Sequence, residues 1–125
     1  MPSEFQIKDS GEREKFESGA QRDKIKGKGR YDLISLILLE RLAKWSELGI
    51  EKYECHNWRK GIPLTSYLSS ASHHLGCLCE GLGDEDHAAA VVWNMQGFMW
   101  TLNEIQHKRL PANLADDCLY AQEKL

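Results

Sequence analysis

The run DEDHAAAVVWNMQGFMWTLNEIQ at residues 84–106 opens on three acids and continues through alanines and large apolar residues. Carboxylates at a helix start satisfy free backbone N–H groups and complement the positive end of the macrodipole. A helix is therefore predicted from Asp84, as the capping residue, to about Gln106, with Glu85 and Asp86 in its first turn. Upstream, Leu64, Leu68, Ala71, Leu75 and Leu78 fall on one stripe, which predicts a second helix from near Thr65 to about Cys79, stopped by Gly81-Leu82-Gly83. Further back, Leu36, Leu39, Leu42 and Ala43 recur at three- and four-residue steps. They predict a core-facing helix over about 34–53 with Ser35 as N-cap and Gly49 as a stop or kink. Downstream of Pro111, residues 114–123 can form a short last helix. No stretch alternates as strands do, so the fold expected is an all-α, compact bundle of three to four helices. Residues 1–30 are polar, mix both charge signs and carry four glycines, and they read as an extended arm on a single helical domain spanning 31–125.

The chain has 125 residues, 16 Lys+Arg against 19 Asp+Glu and a formal charge of -3. That length allows one core, and a small helical domain often completes its cleft with a second subunit, so a homo-oligomer is expected. The negative balance argues against a general duplex-nucleic-acid face. The longest apolar run, residues 33–39, is interrupted by Ser35 and is far short of the ~20 residues of a membrane span, and the N-terminus lacks a signal pattern. A soluble, cytoplasmic protein is expected, in the host cell cytoplasm if phage-encoded. Without a sign of export, Cys55, Cys77, Cys79 and Cys118 are expected as reduced thiols.

Four clusters carry chemistry. His87 and Asn94 are seven residues apart and share a helix face, with the small Ala90 between them and Asp84, Glu85 and Asp86 ahead; they can line a ligand pocket, or the acids can simply cap the helix. Glu47 and Glu51, one turn apart, can hold a divalent cation through oxygen, or form part of a solvated face with Glu40 and Glu54. His73 and Cys77 resemble half a zinc site without a second matched pair, and His74 reads better as a ligand contact. Lys52-Tyr53 with Asn57-Trp58 and Gly61 offers an aromatic platform and an ammonium for a base and a phosphate, or a plug for the bundle end. Gly27-Lys28-Gly29 is too short for a phosphate loop on its own.

Taken in order, Gly19-Ala20-x-Arg22-Asp23, Gly27 to Leu33, Lys52-Tyr53, Asn57-Trp58, Lys60-Gly61, His74-Leu75, Asp86 to Ala90 and Trp93-Asn94 resemble the phage-associated family named for the dATP/dGTP diphosphohydrolase N-terminal domain, over roughly residues 18 to 105. The resemblance implies an all-α protein in the style of MazG-like pyrophosphohydrolases, which cleave nucleoside triphosphates to monophosphate and pyrophosphate with Mg²⁺ or Mn²⁺. Carried over by position, Arg22, Lys28, Arg30 and Lys52 would neutralise the triphosphate, and Asn57, Trp58, His74, Asp86, His87 and Asn94 would line the pocket. Glu47, Glu51 and Asp86 would hold the metal, with Asp86, His87 and Glu51 as the catalytic set. The substrate so implied is a purine deoxynucleoside triphosphate. The alternative is a nucleotide-binding protein without turnover that sequesters a cyclic nucleotide signal of host defence. Two positions depart from the family pattern: His73-His74-Leu75 stands where Arg-His-Leu is usual, exchanging a fixed charge for a titratable ring, and Glu54-Cys55-His56 follows the tyrosine where a glycine is usual. The second of the paired acidic motifs that MazG-like enzymes place on facing helices is not evident.

Overall fold

The computed structural model describes residues 5–125 and divides them into two compact units, one running to Ile34 and the other spanning Ser35–Leu125. Residues 1–4, which belong to the expected arm and to the stretch searched for a signal, lie outside the described residues. The first unit contains an antiparallel hairpin of β1 (Arg13–Lys15) and β2 (Gln21–Asp23) in the register Arg13↔Asp23, Glu14↔Arg22, Lys15↔Gln21. These three-residue strands are too short to show alternation in sequence. They are held by the turn and by one carboxylate: Gly19 takes φ +89°, which a side chain would resist, and Asp23 accepts from the Ser10 Oγ at 2.5 Å and from Arg13 at 3.2 Å.

The second unit is helical. It comprises α1 (Leu36–Lys52), α2 (Leu64–Cys79), α3 (His87–Gln106) and the single-turn α4 (Leu119–Gln122), so the all-α bundle is what the chain forms. Ser35 caps α1 as expected, its hydroxyl accepting from the Ile37 N–H at 3.1 Å. At the end of α2, Gly81 adopts φ +75°, and the Gly81 and Leu82 N–H groups return to the carbonyls of Leu78 and Cys77 at 3.0 Å each. This is the Schellman pattern, which explains why Gly81 stops the helix. α2 and α3 pack against each other, and their core joins Leu64, Tyr67, Phe98, Leu102 and Ile105 to Ala115, Cys118 and Ala121 of the C-terminal segment. All four cysteines are free thiols, and among the described residues no helix is long and apolar enough to cross a membrane.

Four local expectations are corrected. α1 packs against α3 but buries none of its residues fully; Leu36 and Leu39 stay 76% and 49% exposed, because α2 and α3 already cover each other. Gly49 lies inside α1 without ending it, its carbonyl accepting from the Tyr53 N–H at 2.9 Å. The cap of α3 is Asp86 rather than Asp84, accepting from the Ala89 N–H at 3.1 Å, since Asp84 is engaged by a histidine. The C-terminal segment is a 3₁₀ turn (Ala112–Ala115) followed by α4, not one helix. Asp116 separates them at φ +34° because its carboxylate turns back to the Thr65 hydroxyl and N–H, capping α2, which Pro63 cannot do with a side chain.

Candidate functional site

Arg41, Trp45 and Leu48 follow one another at four and three residues on α1 and so share a face. With Leu78 of α2, the connection Gly83 to Asp86 and His87 at the start of α3, they line a cleft of about 540 Å³. The open connection after the Gly81 stop lets three consecutive acids reach its rim, while the helix starting immediately afterwards pins His87 in the wall.

The acids are not equivalent. Asp86 accepts a two-pronged bond from Arg41, Nε at 3.0 Å and Nη2 at 2.6 Å, besides capping α3. The guanidinium, ahead of the cap itself, holds the Asp86 carboxyl below its ordinary value of 3.8. Because the folded-state value is depressed, the contribution to stability is complete above that ordinary value and is lost as pH falls below it. Asp86→Ala should therefore lower the unfolding free energy by about 1 kcal/mol near neutrality, chiefly through the cap, since a part-exposed ion pair adds little. Melting curves of both proteins should converge as pH drops below the carboxylate range.

Asp84 accepts from His87 Nε2 at 2.8 Å, and this bond holds its carboxyl down. His87 is only 2% exposed. Its other nitrogen, Nδ1, lies 2.9 Å from Nδ1 of His74 on α2. Burial, then the adjacent His87, holds the His74 imidazole below its ordinary value. The Trp45 ring stands edge-on to His74 with centroids 5.8 Å apart, so indole and both imidazoles form one aromatic wall. Glu85 completes a group with His74 and His87 in which one ligand atom from each lies within 4.8 Å of the others.

Of the residues singled out in the sequence, Asp86 and His87 line this cleft, and His74 stands behind them against His87 and Trp45. Glu47 and Glu51 lie exposed on α1 and belong neither to the cleft lining nor to that converging group. Asn94 is buried, with its amide donating to the Ala90 carbonyl at 2.8 Å. Trp58 packs edge-on to Trp100 and Trp93, with Arg59 over the Trp58 ring. Asn57 begins the 3₁₀ turn Asn57–Lys60, entered through His56 at φ +63°, and Lys52 sits over the Tyr53 ring. Arg22, Lys28 and Arg30 belong to the hairpin unit, where Arg22 is opposite Glu14 and Arg30 forks onto Asp32 at 2.8 and 2.7 Å. Lys28 and Arg30 border a second depression there with Glu14, Gly29, Tyr31 and Asp32.

Sequence reasoning missed Arg41 and Trp45. Their signal was a cation and an indole one turn apart, overlooked because they lie on the side of the helix away from the Leu36, Leu39, Leu42 and Ala43 stripe that periodicity assigned to the core.

A helical bundle with an aromatic-walled cleft edged by acids, a guanidinium and paired imidazoles has the make-up of a small-ligand site rather than a packing defect. The family model described as dATP/dGTP diphosphohydrolase, N-terminal, matches residues 18–110, and the chain belongs to that family. No curated protein and no solved structure matches it.

Proposed function

We propose that the chain is a pyrophosphohydrolase of purine (deoxy)nucleoside triphosphates. The observation that carries this is the match to the diphosphohydrolase family over residues 18–110, which spans every residue of the cleft. In the reaction, the oxygen of a water forms a bond to the α-phosphorus, the α–β bridging P–O bond breaks, and pyrophosphate leaves with the bridging oxygen. Trp45 offers a face for the base. Arg41, oriented by Asp86 through Nε and Nη2, keeps its Nη1 donors for a phosphate oxygen. His74, held through its Nδ1 by His87, keeps its Nε2 to take the proton of the attacking water.

The family resemblance implies Mg²⁺ or Mn²⁺, hard ions that favour sets of oxygen ligands. Among the described residues such an all-oxygen set is not assembled. Asp86 gives both oxygens to Arg41, and Glu47 and Glu51 are outside the group that converges. The exposed leucines of α1 support the expected homo-oligomer.

Incubation with a panel of ribo- and deoxynucleoside triphosphates and divalent ions tests the proposal: monophosphate with stoichiometric pyrophosphate is expected. The engagement of Asp86 by Arg41 favours a second reading, nucleotide sequestration without turnover, including of a cyclic nucleotide signal. Nucleotide recovered unchanged from a tight complex would establish that reading and overturn hydrolysis. Trp45→Ala should raise KM about 5- to 150-fold with kcat little changed, the signature of lost base stacking. Initial-rate kinetics on a purine substrate check this.

A further inference from the structure

We propose that His74, His87 and Glu85 form a binding site for a divalent transition-metal ion of the zinc, cobalt or nickel type. This goes beyond the hydrolase assignment and stands whether or not nucleotide is turned over. It also departs from the hard ions that the family resemblance implies, because two of the three converging donors are imidazole nitrogens, which suit borderline metals.

The geometry begins with a proton. The Asp84 carboxylate can only accept, so the 2.8 Å bond requires the proton of His87 to sit on Nε2. In the neutral ring, Nδ1 then presents a lone pair, and it is aimed at His74 from a side chain that is 98% withdrawn from solvent. A carboxylate behind the distal nitrogen of a histidine is the arrangement that fixes tautomer and ring orientation in metal centres. Across from it, His74 turns the same atom, Nδ1, to the same point at 2.9 Å. Two ligands about 2.1 Å from one ion are about 3.0 Å apart at right angles and about 3.4 Å apart at the tetrahedral angle, so the two nitrogens need separate by no more than about 0.5 Å to share one. Glu85 is exposed at the cleft rim, and one of its carboxylate oxygens lies within 4.8 Å of a ring nitrogen of each histidine. A bound water or a phosphate oxygen would complete the shell. An ion there supplies a lowered pKa for that water.

A competing site is present on the next face of α2, where His73 Nε2 lies 3.7 Å from Cys77 Sγ. The two differ in donor chemistry, nitrogen and oxygen in one and a thiolate in the other.

The test uses the full chain, freed of metal by chelator, and Co²⁺ alone as the probe. One Co²⁺ per chain is expected, with visible d–d absorption, no intense near-ultraviolet sulfur-to-cobalt band, and displacement by Zn²⁺. Glu85→Gln alters an exposed side chain and should weaken Co²⁺ about tenfold or more, as should His74→Asn; Asp84→Asn should cost about 10- to 100-fold by releasing His87. His73→Asn should change nothing. Failure to bind Co²⁺ stoichiometrically would leave the two rings as a hydrogen-bonded pair and overturn the proposal. So would a strong sulfur-to-cobalt band, or binding indifferent to Glu85→Gln and His74→Asn in variants whose far-ultraviolet circular dichroism matches the parent. Because no nucleotide is present, failure here leaves the hydrolase assignment untouched, and the absence of hydrolysis leaves this site untouched.

Discussion

His87→Gln is expected to lower kcat for pyrophosphate release by about 10²-fold or more, with KM little changed. The side chain combines near-complete burial with one nitrogen committed to Asp84 and the other turned to His74. Glutamine roughly fills the volume, yet it cannot hold Asp84 and the His74 ring in the same geometry, so His74, whose Nε2 is left to take a proton from water, loses its support. Steady-state rates on the best purine triphosphate measure the effect, and thermal melts separate loss of chemistry from loss of fold. His74→Asn serves as the partner variant, since that ring is less buried and its removal disturbs packing less. Wild-type turnover in a folded His87→Gln protein would remove the imidazole pair from the reaction.

The second large effect is on stability and lies away from the cleft. Gly97 is in the middle of α3, where alanine would ordinarily be favoured by about 0.5–1 kcal/mol. Here a Cβ would stand 2.3 Å from Tyr67 Cε1 and 2.6 Å from Cζ. Tyr67 is 1% exposed and packed among Leu64, Phe98 and Leu102, so the ring has no room to retreat. Overpacking of a tight core costs about 1–3 kcal/mol, which outweighs the propensity gain. Gly97→Ala should thus lower the unfolding free energy despite its better helix propensity. Adding Tyr67→Leu should make the double variant less destabilised than the sum of the two, a non-additivity expected of residues in contact. Chemical denaturation of the four proteins decides it, and a stabilised Gly97→Ala would show that the α2–α3 interface is looser than described.

How much was legible differs between elements for physical reasons. The three long helices were readable because their apolar spacing and punctuation are local: Ser35 caps from two residues away, and Gly81 stops α2 with bonds spanning a few residues. The hairpin was not, because three-residue strands leave no period to read and are pinned by Asp23, whose partners are as far away as Ser10. The break at Asp116 was equally hidden, since its cause is Thr65, fifty-one residues earlier.

The site shows the same division. Local spacing alone determined the three long helices, the Ser35 cap and the Gly81 stop, and the order of the motifs carried a family resemblance that nominated His74, Asp86 and His87. Tertiary structure decided which of the nominated groups meet: it joined His74 to His87, committed Asp86 to Arg41, placed Trp58 in an indole cluster, and left Glu47 and Glu51 outside the converging group. It also brought in Arg41 and Trp45, on the helix face opposite the stripe that periodicity assigned to the core. Periodicity records which residues share a face of one helix. What that face meets depends on helices tens of residues away, and only packing settles it.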